Sequence, residues 1–155
     1  GSVRLHERHL HSDPPTQAEI SAAAKDAREA LERAAQVVPL GQTATLIGVA
    51  GTITTTTAHA LRLPAYDREA IDGAVQPTGI VLAAAQDLLA ATREERAAMP
   101  YVHPGRIDVI GPGALIWFEA VSRVFSDVQE AGGALLNVVT SEHDILDGIA
   151  LSLRG

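Results

Sequence analysis

The sequence contains no cysteine, which excludes disulfide bridges and thiolate metal sites and fits the reducing cytoplasm. Aromatic residues make up only 3% of the chain, too few for a platform on which the bases of a single-stranded nucleic acid could stack. A surplus of basic residues is also missing: the formal net charge is −7, whereas nucleic-acid binders usually present a basic surface. We therefore expect no nucleic-acid partner.

Membrane-targeting signals are absent as well. The sequence shows no recognisable signal peptide and no apolar run that we judge long enough to span a bilayer, so we expect a cytoplasmic protein with no membrane partner. Hydrophobic residues still account for 46% of the 155 residues, enough for a core, and this length suits a single domain over residues 1–155. Because the net charge is negative, any bound phosphate would depend on a few local donors.

Periodicity and turn residues predict alternating strands and helices, and hence an α/β layered fold. Two capping boxes, Thr16–Glu19 and Thr92–Glu95, predict helix starts. The predicted strands cover residues 3–10, 43–49, 134–140 and, with a slight preference over other conformations, 71–75. The predicted helices cover residues 17–36, 54–63, 78–91, 92–99, 106–128 and 144–153, and Pro112 is expected to kink the long one.

A glycine turn, Gly48-Val49-Ala50-Gly51-Thr52, lies between a predicted strand and a predicted helix. Glycines let the backbone approach a phosphate closely, and the helix N-terminus adds partial positive charge. The hydroxyls of Thr52, Thr54 and Thr55 could add donors. The alternative interpretation is a strand-to-helix turn that needs glycine only for its backbone conformation.

Arg106 stands near the start of a predicted helix, where a cation is electrostatically disfavoured. Such a position indicates an anion as neighbour. The anion could be a bound phosphate, or it could be a carboxylate such as Asp108, and the sequence leaves both interpretations open.

Two clusters could suggest a metal, and we favour other roles for both. In Ser141–Gly148, the acids and the histidine fit a capped helix start, with Ser141 as a suitable cap, better than a metal site. His9 and His11 would share a face of the predicted strand at 3–10, but no third ligand lies nearby in the sequence. No nucleophile with a matching base can be named, so we assign neither a catalytic nor a metal-binding residue.

The order of several segments resembles the Ppx/GppA phosphatase family. Singly these segments are weak signals, but together they run in sequence over nearly the whole chain: Arg4–Arg8 continuing into His11–Thr16, Gly48–Thr52, Tyr66-Asp67 with Ile71–Gly73, Leu88–Met99, His103–Ile110 and Ser141–Gly148. The chain departs from the family pattern at His6, Ile107 and Pro112, and Pro112 puts the straightness of the long helix and the direction of Arg106 in doubt.

The resemblance implies a fold and an activity. The family belongs to the actin, sugar-kinase and heat-shock chaperone superfamily, in which two ribonuclease H-like domains flank a phosphate-binding cleft. The implied reaction removes terminal phosphate from inorganic polyphosphate or, alternatively, the γ-phosphate of pppGpp, a guanosine polyphosphate. A carboxylate base and Mg²⁺ would assist. A non-catalytic module that senses nucleotide or polyphosphate is a further alternative.

The same resemblance identifies this chain with the C-terminal half of such a protein, a ribonuclease H-like second domain incomplete at its N-terminus. It implies that the catalytic Glu and the acidic phosphate loop lie upstream, and that Mg²⁺ is held mainly by that other half and by the substrate. We therefore expect the chain alone to be inactive. Gly48, Gly51, Thr52 and Arg106 would contact phosphate, and residues 3–10 would form an exposed edge strand that favours a homodimer.

Overall fold

The computed structural model describes residues 1–153, in which helices alternate with three short strands. The strands are β1 (Leu46–Gly48), β2 (Val75–Pro77) and β3 (Asn137–Thr140). The helices are α1 (Ser2–His9), α2 (Gln17–Ala35), α3 (Gly51–Ala60), α4 (Arg68–Ile71), α5 (Thr78–Ala90), α6 (Arg93–Ala98), α7 (Ile107–Glu130) and α8 (Ile145–Ser152), and 3₁₀ turns lie at Leu40–Gln42 and Pro104–Arg106. The predicted α/β class is confirmed.

The three strands form one mixed sheet in the order β1-β3-β2. The central strand β3 runs parallel to β1, with Gly48 opposite Thr140, and antiparallel to β2, with Gln76 opposite Val138. Beyond the last pair, the Ser141 N–H donates to the Gly48 carbonyl at 2.9 Å. The carboxyl ends of β1 and β3 therefore meet at one edge of the sheet, where the loops that follow them lie side by side.

Helix α7 is the centre of the packing and contacts α1, α2, α3 and α5. Its Trp117 and Val121 pack with Val81 of α5 and Val138 of β3 to join the helical layer to the sheet. The helix continues through Pro112, which lies buried in its second turn and leaves the Asp108 carbonyl without its usual helical donor. The long predicted helix is thus confirmed, while a kink at Pro112 stays a prediction.

The expectation that no segment is long and apolar enough to cross a membrane was wrong for α7. Within residues 1–153, Pro104–Glu130 meets that requirement by length and composition, with a mean hydropathy of 1.2 in its most apolar window. In the structure 56% of that window is buried among the other elements. This burial is the pattern of a core helix.

Both capping boxes form as predicted. The Glu19 carboxylate accepts from the Thr16 N–H at 2.7 Å, and the Glu95 carboxylate accepts from the Thr92 N–H at 2.7 Å. In α6, the buried Arg96 donates to the Ile107 carbonyl at 2.9 Å and to the Ala91 carbonyl. This guanidinium therefore joins the end of α5 to the start of α7.

The predicted strand at residues 3–10 was wrong, because this segment is the helix α1. Leu5 and Leu10 are buried in a cluster with Ala23 of α2 and Leu115 of α7, and the His9 ring bonds the Asp26 carboxylate at 3.1 Å. A helix places these side chains against α2 and α7, and the contacts stabilise it more than the loose alternation of polar and apolar residues favours a strand. His9 and His11 consequently share no strand face, and the exposed edge strand that favoured a homodimer is not there.

Two smaller predictions also need correction. Residues 71–75 are mostly the end of α4 and a turn, and β2 starts only at Val75. The last helix forms as predicted, but its cap is Asp144, whose carboxylate accepts from the Leu146 N–H at 2.8 Å, and not Ser141. The Ser141 hydroxyl oxygen instead accepts from the His143 N–H at 3.0 Å.

Candidate functional site

The glycine turn between β1 and α3 is shaped by close packing at its first residue. A Cβ on Gly48 would lie 2.6 Å from Ile53 Cγ2 and 2.9 Å from Trp117 Cη2, closer than real side chains approach. Gly48 is therefore required by the packing of α3 and α7 against the sheet. The N-cap of α3 is Ala50, which has a positive φ of 74° and gives no side-chain cap.

The first turn of α3 leaves two backbone donors available. The N–H groups of Ile53 and Thr54 donate to the Ala50 carbonyl at 3.0 and 3.1 Å. Those of Gly51 and Thr52 have no acceptor among residues 1–153. Unpaired amides at a helix N-terminus carry the positive end of the helix dipole and are ready donors for an anion.

The side chain of Arg106 covers this helix start. Arg106 ends the 3₁₀ turn before α7, and its guanidinium lies so close to Gly51 that a Cβ on Gly51 would overlap it. Arg106 is exposed, and within residues 1–153 it forms no ion pair with a carboxylate. The guanidinium therefore adds its positive charge to that of the N-terminus of α3, and within residues 1–153 no carboxylate forms an ion pair with it.

The alternative partner for Arg106 was Asp108, and this pairing is absent. The Asp108 carboxylate accepts from Arg93 Nε at 2.8 Å. Arg93 follows Thr92 at the start of α6, which packs beside α7, so it reaches Asp108 from the side of the helix. Of the two interpretations that the sequence left open, the carboxylate at Asp108 is therefore wrong.

Arg106 also lines a cleft of about 670 Å³ together with Tyr66, Tyr101 and His103. The Tyr66 hydroxyl donates to the Glu142 carboxylate and lies 2.7 Å from Thr54 Oγ1, and Arg68 Nε donates to Glu142 at 3.1 Å. Burial raises the pKa of Tyr66 above its ordinary value, and the bond to Glu142 raises it further. The hydroxyl therefore stays protonated, and it ties the first turn of α3 to the loop after β3.

The threonine hydroxyls contribute less to this site than the sequence suggested. The Thr55 hydroxyl donates to the Gly51 carbonyl at 2.7 Å, and the Thr54 hydroxyl lies 3.4 Å from the same oxygen. Thr52 packs so tightly on α7 that a Cβ on Gly113 would overlap its side chain. The hydroxyl of Thr52 thus lies against α7, and its backbone N–H is the donor at the start of α3.

The acidic cluster that follows β3 has structural roles. The Asp72 carboxylate accepts from the Glu142 N–H at 2.9 Å, which lowers the pKa of Asp72. His143 lies 3.7 Å from Asp72 and 3.6 Å from Asp147. Within residues 1–153, no group of three or more histidine and carboxylate side chains has the arrangement of a metal site.

The side chains around the cleft do not fit the Mg²⁺ that the family resemblance implies. Mg²⁺ takes oxygen ligands, usually carboxylates, phosphates and water. Arg106, Tyr66 and His103 offer a guanidinium, a protonated phenol and an imidazole, and Glu142 is held by Arg68 and Tyr66. This chain by itself therefore lacks the donor set for a magnesium ion at this position.

Two residues of this site, Tyr66 and Glu142, were not predicted as site residues. Tyr66 belongs to one of the segments that resemble the family, and Glu142 belongs to the acidic cluster, so both carried a signal in the sequence. Their contact joins residues that are far apart along the chain, and no local pattern indicates it.

Comparison with known proteins gives a consistent result. The model of the Ppx/GppA phosphatase family matches residues 1–146. Exopolyphosphatase 2 of Mycobacterium tuberculosis is 48% identical over 155 residues, which are 100% of this chain and 47% of that protein. The chain therefore spans about half the length of the curated relatives it matches.

Solved structures agree with this match. The crystal structure of an exopolyphosphatase-like protein superposes with a TM-score of 0.95 at 43% identity, over 99% of this chain and 48% of that one. A Ppx/GppA phosphatase of Aquifex aeolicus superposes with a TM-score of 0.78 at 24% identity, over 98% of this chain and 46% of the other, which shows the shared fold.

Proposed function

We propose a function from the premise that this chain belongs to the Ppx/GppA phosphatase family. The chain forms the C-terminal half of an enzyme that hydrolyses the terminal phosphoanhydride bond of inorganic polyphosphate, and its cleft at the start of α3 binds phosphate groups. One observation carries this proposal: the Arg106 guanidinium lies against Gly51, beside two unpaired amides and without a carboxylate partner in residues 1–153.

The cleft suits a phosphate group in both geometry and charge. A phosphate oxygen at the start of α3 can accept from the N–H groups of Gly51 and Thr52, and the planar guanidinium of Arg106 can donate to a second and a third oxygen. The negative charge of the phosphate offsets the repulsion between Arg106 and the positive end of α3. An anion with several oxygens can therefore accept the most hydrogen bonds at this site.

Phosphoryl transfer depends mainly on such positioning and charge stabilisation. The oxygen of a water molecule bonds to the terminal phosphorus, the bond to the bridging oxygen breaks, and the shortened polyphosphate leaves with that bridging oxygen. In this cleft Glu142 already accepts from Tyr66 and Arg68, so it is poorly suited to take a proton from water. We assign the base that activates water, and the Mg²⁺, to the part of the enzyme outside this chain.

Polyphosphate is favoured as substrate because the curated relative at 48% identity is named an exopolyphosphatase. The same phosphate contacts would serve the 5′-triphosphate of pppGpp. Rates of phosphate release from the two substrates distinguish these activities. Saturable binding of either one, without release of phosphate by the two-domain enzyme, would instead indicate a sensing module.

The test replaces Arg106 in a two-domain enzyme that carries these residues. Arg106→Ala should weaken polyphosphate binding by about 1–3 kcal/mol, the usual scale of a charged hydrogen bond. The difference should shrink at high salt because ionic contacts are screened. Arg33→Ala, which removes an exposed arginine from α2, is the matched control and should bind normally. A lower melting temperature with unchanged affinity for Arg106→Ala would contradict the proposal.

A further inference from the structure

The ring of His103 is fixed in one tautomer by the turn that precedes α7. Its Nδ1 accepts from the Gly105 N–H at 3.1 Å and so caps the 3₁₀ turn Pro104–Arg106. A backbone N–H can only donate, so Nδ1 carries no proton and the proton of the neutral imidazole is on Nε2. A Cβ on Gly105 would lie 3.3 Å from Nδ1, so the ring packs directly on the turn. The imidazole therefore presents an N–H donor at its far edge.

The Nε2 donor of His103 has no protein acceptor. His103 is exposed and lines the cleft together with Arg106. Within residues 1–153 the only side-chain hydrogen bond of His103 is the one to Gly105, and the histidines that contact a carboxylate are His9, His59 and His143. Capping needs only an acceptor, which shorter side chains supply at the helices that have a side-chain cap: Thr16, Asp67, Thr92 and Asp144. The imidazole therefore adds a donor that capping does not use.

His103 and Arg106 lie on one side of the 3₁₀ turn. The Arg106 N–H donates to the His103 carbonyl at 2.8 Å, which closes a single turn between them. Residues three apart in such a turn lie above one another, about 6 Å apart along its axis. Because both side chains line the same cleft, the imidazole can contact a ligand about one turn away from the guanidinium.

This spacing suits a ligand longer than one phosphate group. In the proposed site, the N–H groups of Gly51 and Thr52 and the guanidinium of Arg106 already engage the free oxygens of a terminal phosphate. We propose that the Nε2–H of His103 donates to the next phosphate group of the chain, so that His103 selects linked phosphate groups over orthophosphate. The role of His103 rests on the proposed phosphate site at Arg106, and it concerns specificity and not the chemical step.

Two substitutions separate the donor of His103 from its capping role. Asn has a capping oxygen at the reach of Nδ1 and no donor at the reach of Nε2, whereas the amide of Gln extends as far as Nε2. His103→Asn should therefore keep the cap and lose the donor, and His103→Gln should keep a donor and weaken the cap. His11→Asn is the matched control, because His11 is exposed and does not line the cleft.

Calorimetry measures how tightly a two-domain enzyme that carries these residues binds tripolyphosphate and orthophosphate. EDTA is present to remove the Mg²⁺ that the proposed hydrolysis needs. We expect His103→Asn to bind tripolyphosphate about tenfold more weakly, which is the scale of one hydrogen bond to a charged group, and orthophosphate within about twofold of the wild type. His103→Gln should bind tripolyphosphate within about threefold of the wild type, and His11→Asn should bind both ligands normally.

Wild-type affinity of His103→Asn for tripolyphosphate would overturn the proposal, because capping would then be the whole role of the ring. So would His103→Gln binding as weakly as His103→Asn, or an equal loss for orthophosphate. Arg106→Ala, titrated in parallel, should weaken the binding of both ligands. If it weakens neither, the proposed phosphate site is wrong and the role of His103 fails with it. A loss at Arg106→Ala without a loss at His103→Asn defeats the role of His103 alone.

Discussion

Among the individual residues, Gly51 and Arg106 depend on each other. The guanidinium can lie over the start of α3 only because Gly51 has no side chain, since a single added carbon would overlap it. The glycine is therefore needed for the close approach of a side chain from another element. This role differs from the freedom of backbone conformation that a glycine turn usually suggests.

Gly51→Ala should displace the Arg106 guanidinium from the start of α3. We expect it to weaken polyphosphate binding to the two-domain enzyme by less than Arg106→Ala does, because the flexible end of Arg106 can shift and keep part of the charged hydrogen bonding, which is worth about 1–3 kcal/mol in all. Gly79→Ala is the control, since a Cβ at this helical glycine meets no atom within 4 Å. The double variant Gly51→Ala with Arg106→Ala should be little worse than Arg106→Ala alone. Calorimetric titration measures all of these affinities. If Gly51→Ala binds polyphosphate as tightly as the wild type, the glycine turn has only a structural role.

The sequence could identify both partners of this pair but not their contact. Gly51 was a candidate because a glycine turn preceded a helix, and Arg106 because a cation stood at a helix start. Excluding Asp108 as the partner of Arg106 required knowing that Arg93, from the neighbouring helix, already donates to that carboxylate. Tyr66 and Glu142 were missed for the same reason, because tertiary contacts alone bring them together.

Among the elements, α2 starts with a carboxylate that links stability to pH. Glu19 accepts hydrogen bonds from the N–H groups of Thr16 and His11, which lower the pKa of Glu19 from 4.5 to about 2. A carboxylate whose pKa is lowered in the folded state stabilises the protein. This stabilisation is complete when the pH is above the pKa that the group has in the unfolded state. That contribution is lost as the pH falls from about 4.5 towards 2.

Glu19→Gln should therefore lower the melting temperature most at neutral pH. Its difference from the wild type should shrink as the pH falls from about 4.5 towards 2, because the carboxylate is then protonated in the unfolded state and increasingly protonated in the folded state. Glu29→Gln, on the exposed side of the same helix, is the control for the loss of one negative charge from α2. Thermal unfolding followed by circular dichroism between neutral pH and pH 2 measures this. If the melting temperatures of Glu19→Gln and the wild type differ by the same amount at every pH, the lowered pKa of Glu19 is contradicted.

How well each element could be predicted depends on where its stability arises. The starts of α2 and α6 were predictable because a capping box is a local contact of residues three apart. Helix α1 was not predictable in this way, because the pattern of Leu5 and the polar residues around it fits both the periodicity of a helix and that of a strand. Its helix is stabilised by contacts with α2 and α7, and such contacts override weak local preferences.

For the molecule as a whole, the proposed reaction needs more groups than residues 1–153 supply. The described residues contain donors for phosphate, but the carboxylates near the cleft already accept hydrogen bonds. Glu142 accepts from Arg68 and Tyr66, and Asp72 accepts from a backbone amide. Polyphosphate hydrolysis also needs a base for water and a counter-charge at the leaving oxygen.

The 155-residue chain alone should therefore release no phosphate from polyphosphate in the presence of Mg²⁺. A colorimetric phosphate assay measures this, with a two-domain enzyme that carries these residues as the comparison and a heat-inactivated sample as background. Turnover by the isolated chain above that background would show that a base is present within these residues.

The packing of Trp117 gives the turn at the start of α3 its own optical signal. This is the only tryptophan in the sequence, it is 8% exposed, its ring lies against Gly48 before the turn, and Ile53 after the turn packs against the hydrophobic cluster that contains it. Excitation beyond the tyrosine absorption band therefore selects one indole, and its emission wavelength reports the polarity at this one place. A shift of the turn when an anion enters the cleft changes the fluorescence spectrum without any label.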